Sequence, residues 1–357
     1  MIQNTLLIKK LNFKTPTIIS IISSVVAGTC SIYLALNGYG IWSLIFLSLI
    51  RQFITSILLW YSASWRPRLM YSKNSFKELF HFGYKLLLAS FINTIYKNIY
   101  YVLIGKYFSP KALGYYTRAD QFQAPFSSNI ALAIRKISFP ILSTIQDDNE
   151  KLKKSFIKFV RFSVFLNFHM LLFIAAISEP MILMVIGEKW FNSIVYLQLL
   201  CVAGLLYPLH ILHLNLLVVK GFSDLNLRLE ITKKIILIPI ILITVSINIK
   251  VMIYGLIVFS IIEYFINSFY TKKLINYTIK QQIKDILPFI LISFIVFCTV
   301  WAITLLTISY SLMLIFQLII GLLTFIAINE TLQLIEYIEI KRFVLKKLEN
   351  YSKIRKK

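Results

Sequence analysis

The sequence predicts an all-α fold, a polytopic transmembrane helical bundle of about ten spans, and three observations predict it. Apolar residues make up 58% of the 357-residue chain and charged residues only 15%, against about 45–50% and about 25% in soluble domains. A water-soluble fold of this length has no room to hide so much apolar surface, so the bilayer is the solvent. Stretches of roughly 20 mainly apolar residues, the length that crosses the hydrocarbon core, follow one another along the chain. The connections between them alternate in charge, the signature of loops that lie on opposite sides of a membrane. Backbone groups in hydrocarbon must bond within their own segment, which makes each stretch a helix. The ten-residue alternation of β-barrel strands does not occur.

Taken in order, spans are expected near 16–37, 40–61, 80–104, 119–143, 156–178, 194–218, 229–248, 251–271, 286–307 and 310–328. Every second connection is basic, starting with Lys9–Lys14 and continuing with Arg66 to Lys77, Lys151 to Lys158, Lys220 to Lys234, Lys272 to Lys284 and the tail Lys341 to Lys357. The intervening ones hold only Lys106, Lys111, Arg118, Lys189 and Lys250. This asymmetry puts both termini in the cytoplasm. It also accounts for the net charge of +23, which in a soluble protein would suggest nucleic acid, and no nucleic-acid partner is expected. Cys30, Cys201 and Cys298 lie far apart inside apolar runs and read as small core residues, without metal spacing or a disulfide framework. No cleavable leader is visible, because Lys9, Lys10 and Lys14 precede the first span.

One internal repeat is readable. A shift of 212 positions lays Trp42–Leu58 on Tyr254–Tyr270, with Leu44/Leu256, Ile45/Ile257, Ser48/Ser260, Phe53/Phe265 and Ser56/Ser268 among the identities. Each segment is the second helix of a hairpin that enters from the basic side. Repeated helix bundles are the usual plan of secondary transporters, with the substrate site between the repeats.

Several segments resemble polysaccharide flippases of the Wzx type, within the multidrug/oligosaccharidyl-lipid/polysaccharide exporter superfamily. They are His81-Phe82-Gly83, Leu103 to Phe108, Ala112 to Asp120, Phe139 to Ser143, Gln146-Asp147-Asp148 and Gly187-Glu188-Lys189-Trp190. Their order and spacing carry the resemblance, which extends to about residue 280. It implies two six-helix lobes facing a central cavity, often with two further C-terminal helices, in a bacterial cytoplasmic (inner) membrane. It implies as partner a lipid-linked oligosaccharide, carried on undecaprenyl diphosphate, moved between leaflets among membrane lipids for surface polysaccharide such as lipopolysaccharide O-antigen. Gln3 to Lys14 looks like the linker after the family's fourth helix, so about four helices of the first lobe are expected to be missing. The expected division is then 1–79 as part of the first lobe with a cytoplasmic linker, 80–271 as a complete second lobe, and 272–357 as the extra pair and basic tail. A separate N-terminal fragment is an expected partner.

Charged side chains deep in a span usually face a polar interior and mark function. Arg51 sits midway along its span with Ser48 and Thr55 on the same face, and the repeat lays Ser260, Glu263 and Asn267 on those positions. Ser90, Asn93, Thr94, Lys97, Asn98 and Tyr101 form one polar stripe. Gln121, Ser128 and Arg135 recur at seven-residue spacing. Such faces either line a cavity or bond across helix interfaces. Arg51, Asn93, Lys97 and Arg135 are assigned to substrate binding, the cations to an anionic diphosphate, and Glu263 to coupling or pairing. Arg118 with Asp120 reads as an outer ion pair or interfacial anchor, and Lys233 and Lys234 as surface lysines. His210 and His213 lack the third ligand of a metal site. No cofactor is expected, and without a phosphate loop, nucleophile motif or paired carboxylates the chain does not read as an enzyme. Three other classes remain open, namely a cation or drug exporter of the same superfamily, a membrane glycosyltransferase or polymerase, and an inactive remnant.

The charge asymmetry makes a topological prediction. Reporter fusions after Ser64, Asn149, Asn276 and Lys357 should report the cytoplasm, and those after Asn37, Ser109, Asn192 and Ser309 the outside. Two adjacent fusions on one side would remove a span from the scheme.

Overall fold

The computed structural model describes residues 2–9, 12, 14–62, 72, 73, 76, 77, 80, 94–96 and 98–355. Among the described residues all regular structure is helical. The chain divides into two compact units, Met1–Leu88 and Ala89–Lys357.

The first unit contains α1 (Ile2–Lys9), α2 (Lys14–Leu36) and α3 (Trp42–Ser62). Gly38 and Gly40, at φ +81° and +50°, turn the chain between α2 and α3, a backbone region open to glycine at little cost. The two helices approach closely because α2 offers a four-residue stripe of Ile19, Ser23, Ala27 and Ser31, all buried. Small residues at such spacing let backbones meet, and their hydroxyls bond across the seam. Ser31 Oγ donates to Ser43 O at 2.8 Å, and Thr55 Oγ1 donates to Ser23 Oγ at 2.9 Å.

The second unit opens with helical residues 98–107 (α4). Next come α5 (Pro110–Thr144), α6 (Asn149–Ala176), α7 (Ser178–Val185), α8 (Ser193–Gly204) and α9 (Tyr207–Val219). The chain closes with α10 (Ser223–Val245), α11 (Ile249–Ile275), α12 (Ile279–Trp301), α13 (Tyr310–Thr331) and α14 (Ile335–Arg355). Side-chain caps start several of them. Ser109 accepts from Ala112 N, and Thr278 forms a capping box with Gln281. Asp148 accepts from Lys151 N at 3.0 Å, a bond that holds its carboxyl below the ordinary range. The helix α5 packs on α6, α8 and α9, while α11 closes the other side of α8–α9 with α10 against it. The pair α12 and α13 packs on α6 and α7. Two apolar clusters result, one around Ile104, Leu171, Leu197 and Met252, the other around Leu152, Phe156, Phe165 and Leu212.

Seven of the described helical segments are long and apolar enough to cross a membrane, and all lie at expected spans. The expected spans at 119–143 and 229–248 fold as α5 and α10 but carry more charge, among it Asp120, Arg135 and Lys136 in the first and Glu230, Lys233 and Lys234 in the second. The 35 residues of α5 reach about 52 Å, well beyond a hydrocarbon core of about 30 Å. Most of the expected span at 80–104 lies outside the described residues, with Asn93 and Lys97 in it.

The expected single span at 194–218 is two helices, broken at Leu205–Leu206. Pro208 is the cause, because it has no N–H for the Gly204 carbonyl one turn back. The fully buried Asn167 of α6 supplies the missing donor, its Nδ2 lying 3.0 Å from Gly204 O and 2.7 Å from Leu205 O. Of the cysteines only Cys201 is core; Cys30 is half-buried and Cys298 exposed, since an apolar run in a membrane also has a lipid-facing side.

Gly321 is a point of close approach in the second unit, where a Cβ would meet the Phe173 ring and stand 3.1 Å from Val300 Cγ2. Gly321→Val should therefore cost roughly 1–3 kcal/mol by overpacking, lowering the melting temperature in detergent. Gly28→Ala, with open space around it, should leave that temperature unchanged or raise it.

Candidate functional site

The polar residues of the second unit converge at mid-bundle, between the two apolar clusters. A cavity of about 440 Å³ opens there, walled by α4, α5, α8, α9, α10 and α11. Five tyrosines face it, Tyr96, Tyr100, Tyr101, Tyr116 and Tyr207. The helix α5 contributes Asp120, Gln123, Ser127 and Ser128, which with Tyr116 recur at helical spacing and so share one face. Tyr101 OH donates to Asp120, and Gln123 Nε2 donates to Ser127 Oγ at 2.9 Å. The Tyr100 and Tyr116 rings stack at 6.4 Å, and Tyr101 meets Tyr116 edge-on at 5.5 Å. These rings brace one another and leave the Tyr100 hydroxyl buried without a protein partner.

The opposite wall holds the charges. Glu263, near the midpoint of α11, lies 2.8 Å from Lys233 Nζ of α10, and Lys233 also pairs with Glu230. His210 of α9 approaches with Nε2 at 3.7 Å from Glu263 Oε2 and 3.2 Å from Ser260 Oγ. Lys233 is only 3% exposed, so its ammonium is desolvated and compensated by the two carboxylates, of which Glu263 is the more buried and Glu230 the more exposed. Asn267, one turn beyond Glu263, is buried with both amide atoms unpartnered.

Of the expected site residues, the cavity takes in Glu263, and with it Ser260 of the same face. Ser128 lines it too, whereas Arg135, two turns further along α5, is exposed. Arg51 is exposed on α3 in the first unit, where Thr55 bonds back to Ser23 and to the Arg51 carbonyl. Asn93 and Lys97 lie outside the described residues, but Tyr101 of their stripe reaches the cavity. Two readings change. Lys233 is a buried partner of Glu263 and not a surface lysine, while Lys234 sits 5.2 Å over the Tyr96 ring. Arg118 donates to Gln121 Oε1 at 2.9 Å and stacks 5.1 Å from Trp190, whereas Asp120 faces the cavity. Sequence reasoning weighed His210 only as a metal ligand and Asp120 only as a partner of Arg118, and of the five tyrosines it named Tyr101 alone; the stripe Tyr116-Asp120-Gln123-Ser127 was the available signal. His213 bonds Thr271 Oγ1 at 2.7 Å, and the described residues hold no group of three metal-ligating side chains.

A helical bundle with seven helical segments able to cross a membrane and a charged, tyrosine-lined cavity among its helices is a multi-pass membrane protein. The chain belongs to the polysaccharide biosynthesis protein family, whose model matches residues 1–195, the family of the Wzx-type flippases that its motifs resemble. It is 28% identical over 222 residues to the teichuronic acid biosynthesis protein TuaB of Bacillus subtilis (strain 168), covering 61% of this chain and 45% of that protein. It is 31% identical over 179 residues to the lipopolysaccharide biosynthesis protein WzxC of Escherichia coli (strain K12), covering 50% and 36%. The solved structure of the lipid II flippase MurJ, in an inward closed conformation, matches with a TM-score of 0.68 at 16% identity, over 89% of this chain and 66% of that one. At that identity the likeness is one of fold. The chain spans under half the length of the curated relatives it matches.

The charge network yields a stability prediction. Lys233→Met leaves Glu263 and Glu230 uncompensated and should cost about 3–5 kcal/mol, as breaking a buried pair does. Adding Glu263→Gln should recover part of that loss in thermal unfolding. A double variant that is the sum of the singles would show that the two side chains are uncoupled.

Proposed function

We propose that this chain forms the substrate-handling part of a flippase that moves undecaprenyl-diphosphate-linked oligosaccharide across a bacterial cytoplasmic membrane, with both termini in the cytoplasm. The observation that carries the reading is the composition of the mid-bundle cavity. Sugar rings offer C–H faces to aromatic rings and hydroxyls to amides and carboxylates, and the cavity presents five tyrosines with Gln123, Asp120 and three serines. A site of apolar area with a few placed polar groups is the general form of a small-molecule pocket. The names of the relatives, which speak of teichuronic acid, lipopolysaccharide and lipid II, agree with a lipid-linked glycan as cargo.

In this reading residues 80–271 form one lobe, 1–79 contribute to the other, and 272–357 add the extra pair and tail. Further family-like helices, in the same polypeptide or as a separate N-terminal fragment, complete the first lobe. Rocking one lobe against the other then exposes the site alternately to the two leaflets. The diphosphate falls to Arg51, Lys97 and Arg135, with Asn93 beside Lys97, while Glu263 is held in place by Lys233. The cargo is moved and not chemically changed.

A second reading, export of an organic cation, draws on the two carboxylates Asp120 and Glu263 at the cavity wall. Both already have partners, Tyr101 for the first and Lys233 for the second, which leaves less free negative charge than a cation needs.

The test is complementation of a strain lacking its flippase, with a family-complete version of the protein. Arg51→Ala, Lys97→Ala, Arg135→Ala and Gln123→Ala should each reduce surface polysaccharide export. A lost charge-assisted hydrogen bond is worth about 1.5–3 kcal/mol, roughly 10- to 100-fold in rate. Arg→Lys should also impair export at any residue that grips phosphate bidentately, and Cys201→Ser should be mild. Normal export by all three cation variants at normal protein level would overturn the phosphate assignment. Normal export by Gln123→Ala would overturn the sugar-binding role of the cavity.

A further inference from the structure

The turn between α13 and α14 builds a second polar site, whose walls share no residue with the cavity above. The chain reverses at Gln333, which adopts φ +48°, and three contacts fix the angle at which α14 leaves. Glu336, 3% exposed, accepts from Arg161 Nε of α6 at 2.6 Å. Tyr337 packs edge-on against Phe325 at 6.0 Å. Lys341 pairs with Glu330 at the end of α13. One turn from Glu336, Glu339 takes Lys158 at 2.8 Å. Both acids at the start of α14 are therefore paired with bases of α6, Glu336 buried and Glu339 part-exposed.

Past that fastened start the character of the helix changes. Residues 341–346 are all exposed, and they read Lys341, Arg342, Phe343, Val344, Leu345, Lys346. A groove of about 560 Å³ runs along the elbow, bounded by Glu330 and Gln333 on one side and by Ile338, Lys341, Arg342, Leu345 and Lys346 of α14 on the other. Glu330 balances Lys341, so Arg342 and Lys346, one turn apart on the same face, give the groove its positive charge. Ile338 and Leu345 supply apolar wall. Around it, Leu332, Ile335 and Phe343 are 55%, 62% and 69% exposed. The sequence beyond adds Lys347, Lys353, Arg355, Lys356 and Lys357 against a single Glu349.

Cations over exposed large apolar side chains, on a helix that follows a membrane-spanning one after a three-residue turn, fit one environment. Water leaves the apolar residues exposed, and hydrocarbon leaves the cations unsolvated. The headgroup layer of a bilayer satisfies both, because phosphate meets the cations and acyl chains meet the apolar residues. We infer that the α13–α14 elbow binds the phosphate headgroup of an anionic phospholipid in its groove, and that this contact lays the basic part of α14 on the membrane surface. The paired acids serve the same end, since they hold the helix start without adding net negative charge at the lipid.

The test uses the full chain in nanodiscs. Cys30→Ser, Cys201→Ser and Cys298→Ser clear the background, and Phe343→Cys carries a bimane label read by iodide quenching. Phosphatidylcholine discs are compared with discs containing increasing phosphatidylglycerol. Label protection should rise with phosphatidylglycerol, and inorganic phosphate in phosphatidylcholine discs should not reproduce it. Each basic residue near an anionic surface contributes on the order of fivefold to binding. Arg342→Gln with Lys346→Gln should thus raise the phosphatidylglycerol needed for half-protection by at least several-fold, and Lys346→Arg should restore part of it. Protection that ignores lipid charge, or that follows free phosphate, would overturn the inference, as would a Gln/Gln variant indistinguishable from the parent. Unchanged gel-filtration profiles of the variants separate these outcomes from misfolding.

Discussion

Hydrocarbon offers no hydrogen bonds, and the structure is organised by that fact. Each polar group placed at membrane depth has to find its partner in the protein. The cheapest answer is local: Ser24, Thr29, Ser143, Ser163, Thr244 and Thr324 return their hydroxyls to carbonyls three or four residues earlier on the same helix. The next is across a seam, as between Thr55 and Ser23 or between Asn215 and Ser138. Full charges need more, and Lys233, Glu263 and Glu230 compensate one another where His210 and Ser260 add further polar contacts. Cavity and charge therefore coincide because compensation requires several helices to bring polar groups to one level.

The same constraint separates the two ends of the second unit in character. At one end Arg161 gathers Glu336 and Asp285, with Tyr277 donating to Asp285 at 2.7 Å. These residues join α6, α12 and α14, so the tail helix is fastened to the bundle by ion pairs at the edge of the apolar core. At the other end aromatic rings do the joining, with Trp190 packed against Tyr115 and Arg118 of α5. The segments Ala112 to Asp120 and Gly187 to Trp190, far apart in sequence, thus meet in one corner.

Much of the fold was legible because hydropathy and loop charge act over whole segments. Glu263 was legible too, since a lone carboxylate in an apolar run stands out. Its partner was not. Lys233 sits midway along α10 but close in sequence to Arg228, Glu230 and Lys234, where a basic cluster looks like a loop margin; only the packing of α10 on α11 shows it buried. Asp120 was mistaken for a boundary residue because Arg118 stands beside it, yet two positions along a helix turn a side chain to nearly the opposite face. Tyr101 apart, the tyrosines were invisible for another reason. In a chain that is 15% aromatic, a ring at a cavity and a ring at a headgroup look alike until the helices are placed. The break between α8 and α9 follows from Pro208, since a proline inside a helix leaves a carbonyl without its donor, but nothing local pointed to Asn167 as the donor that makes it tolerable.

That break changes how force passes through the molecule. A continuous helix behaves as a stiff rod, so that displacement at one membrane face is felt at the other. Here the hydrogen-bond ladder is interrupted at Leu205–Leu206, and the freed carbonyls of Gly204 and Leu205 are held by the Asn167 amide of α6. Leu200 and Ala203 ride on one segment, Tyr207 and His210 on the other. The cavity is thus walled on this side by two short helices and not by one uninterrupted rod.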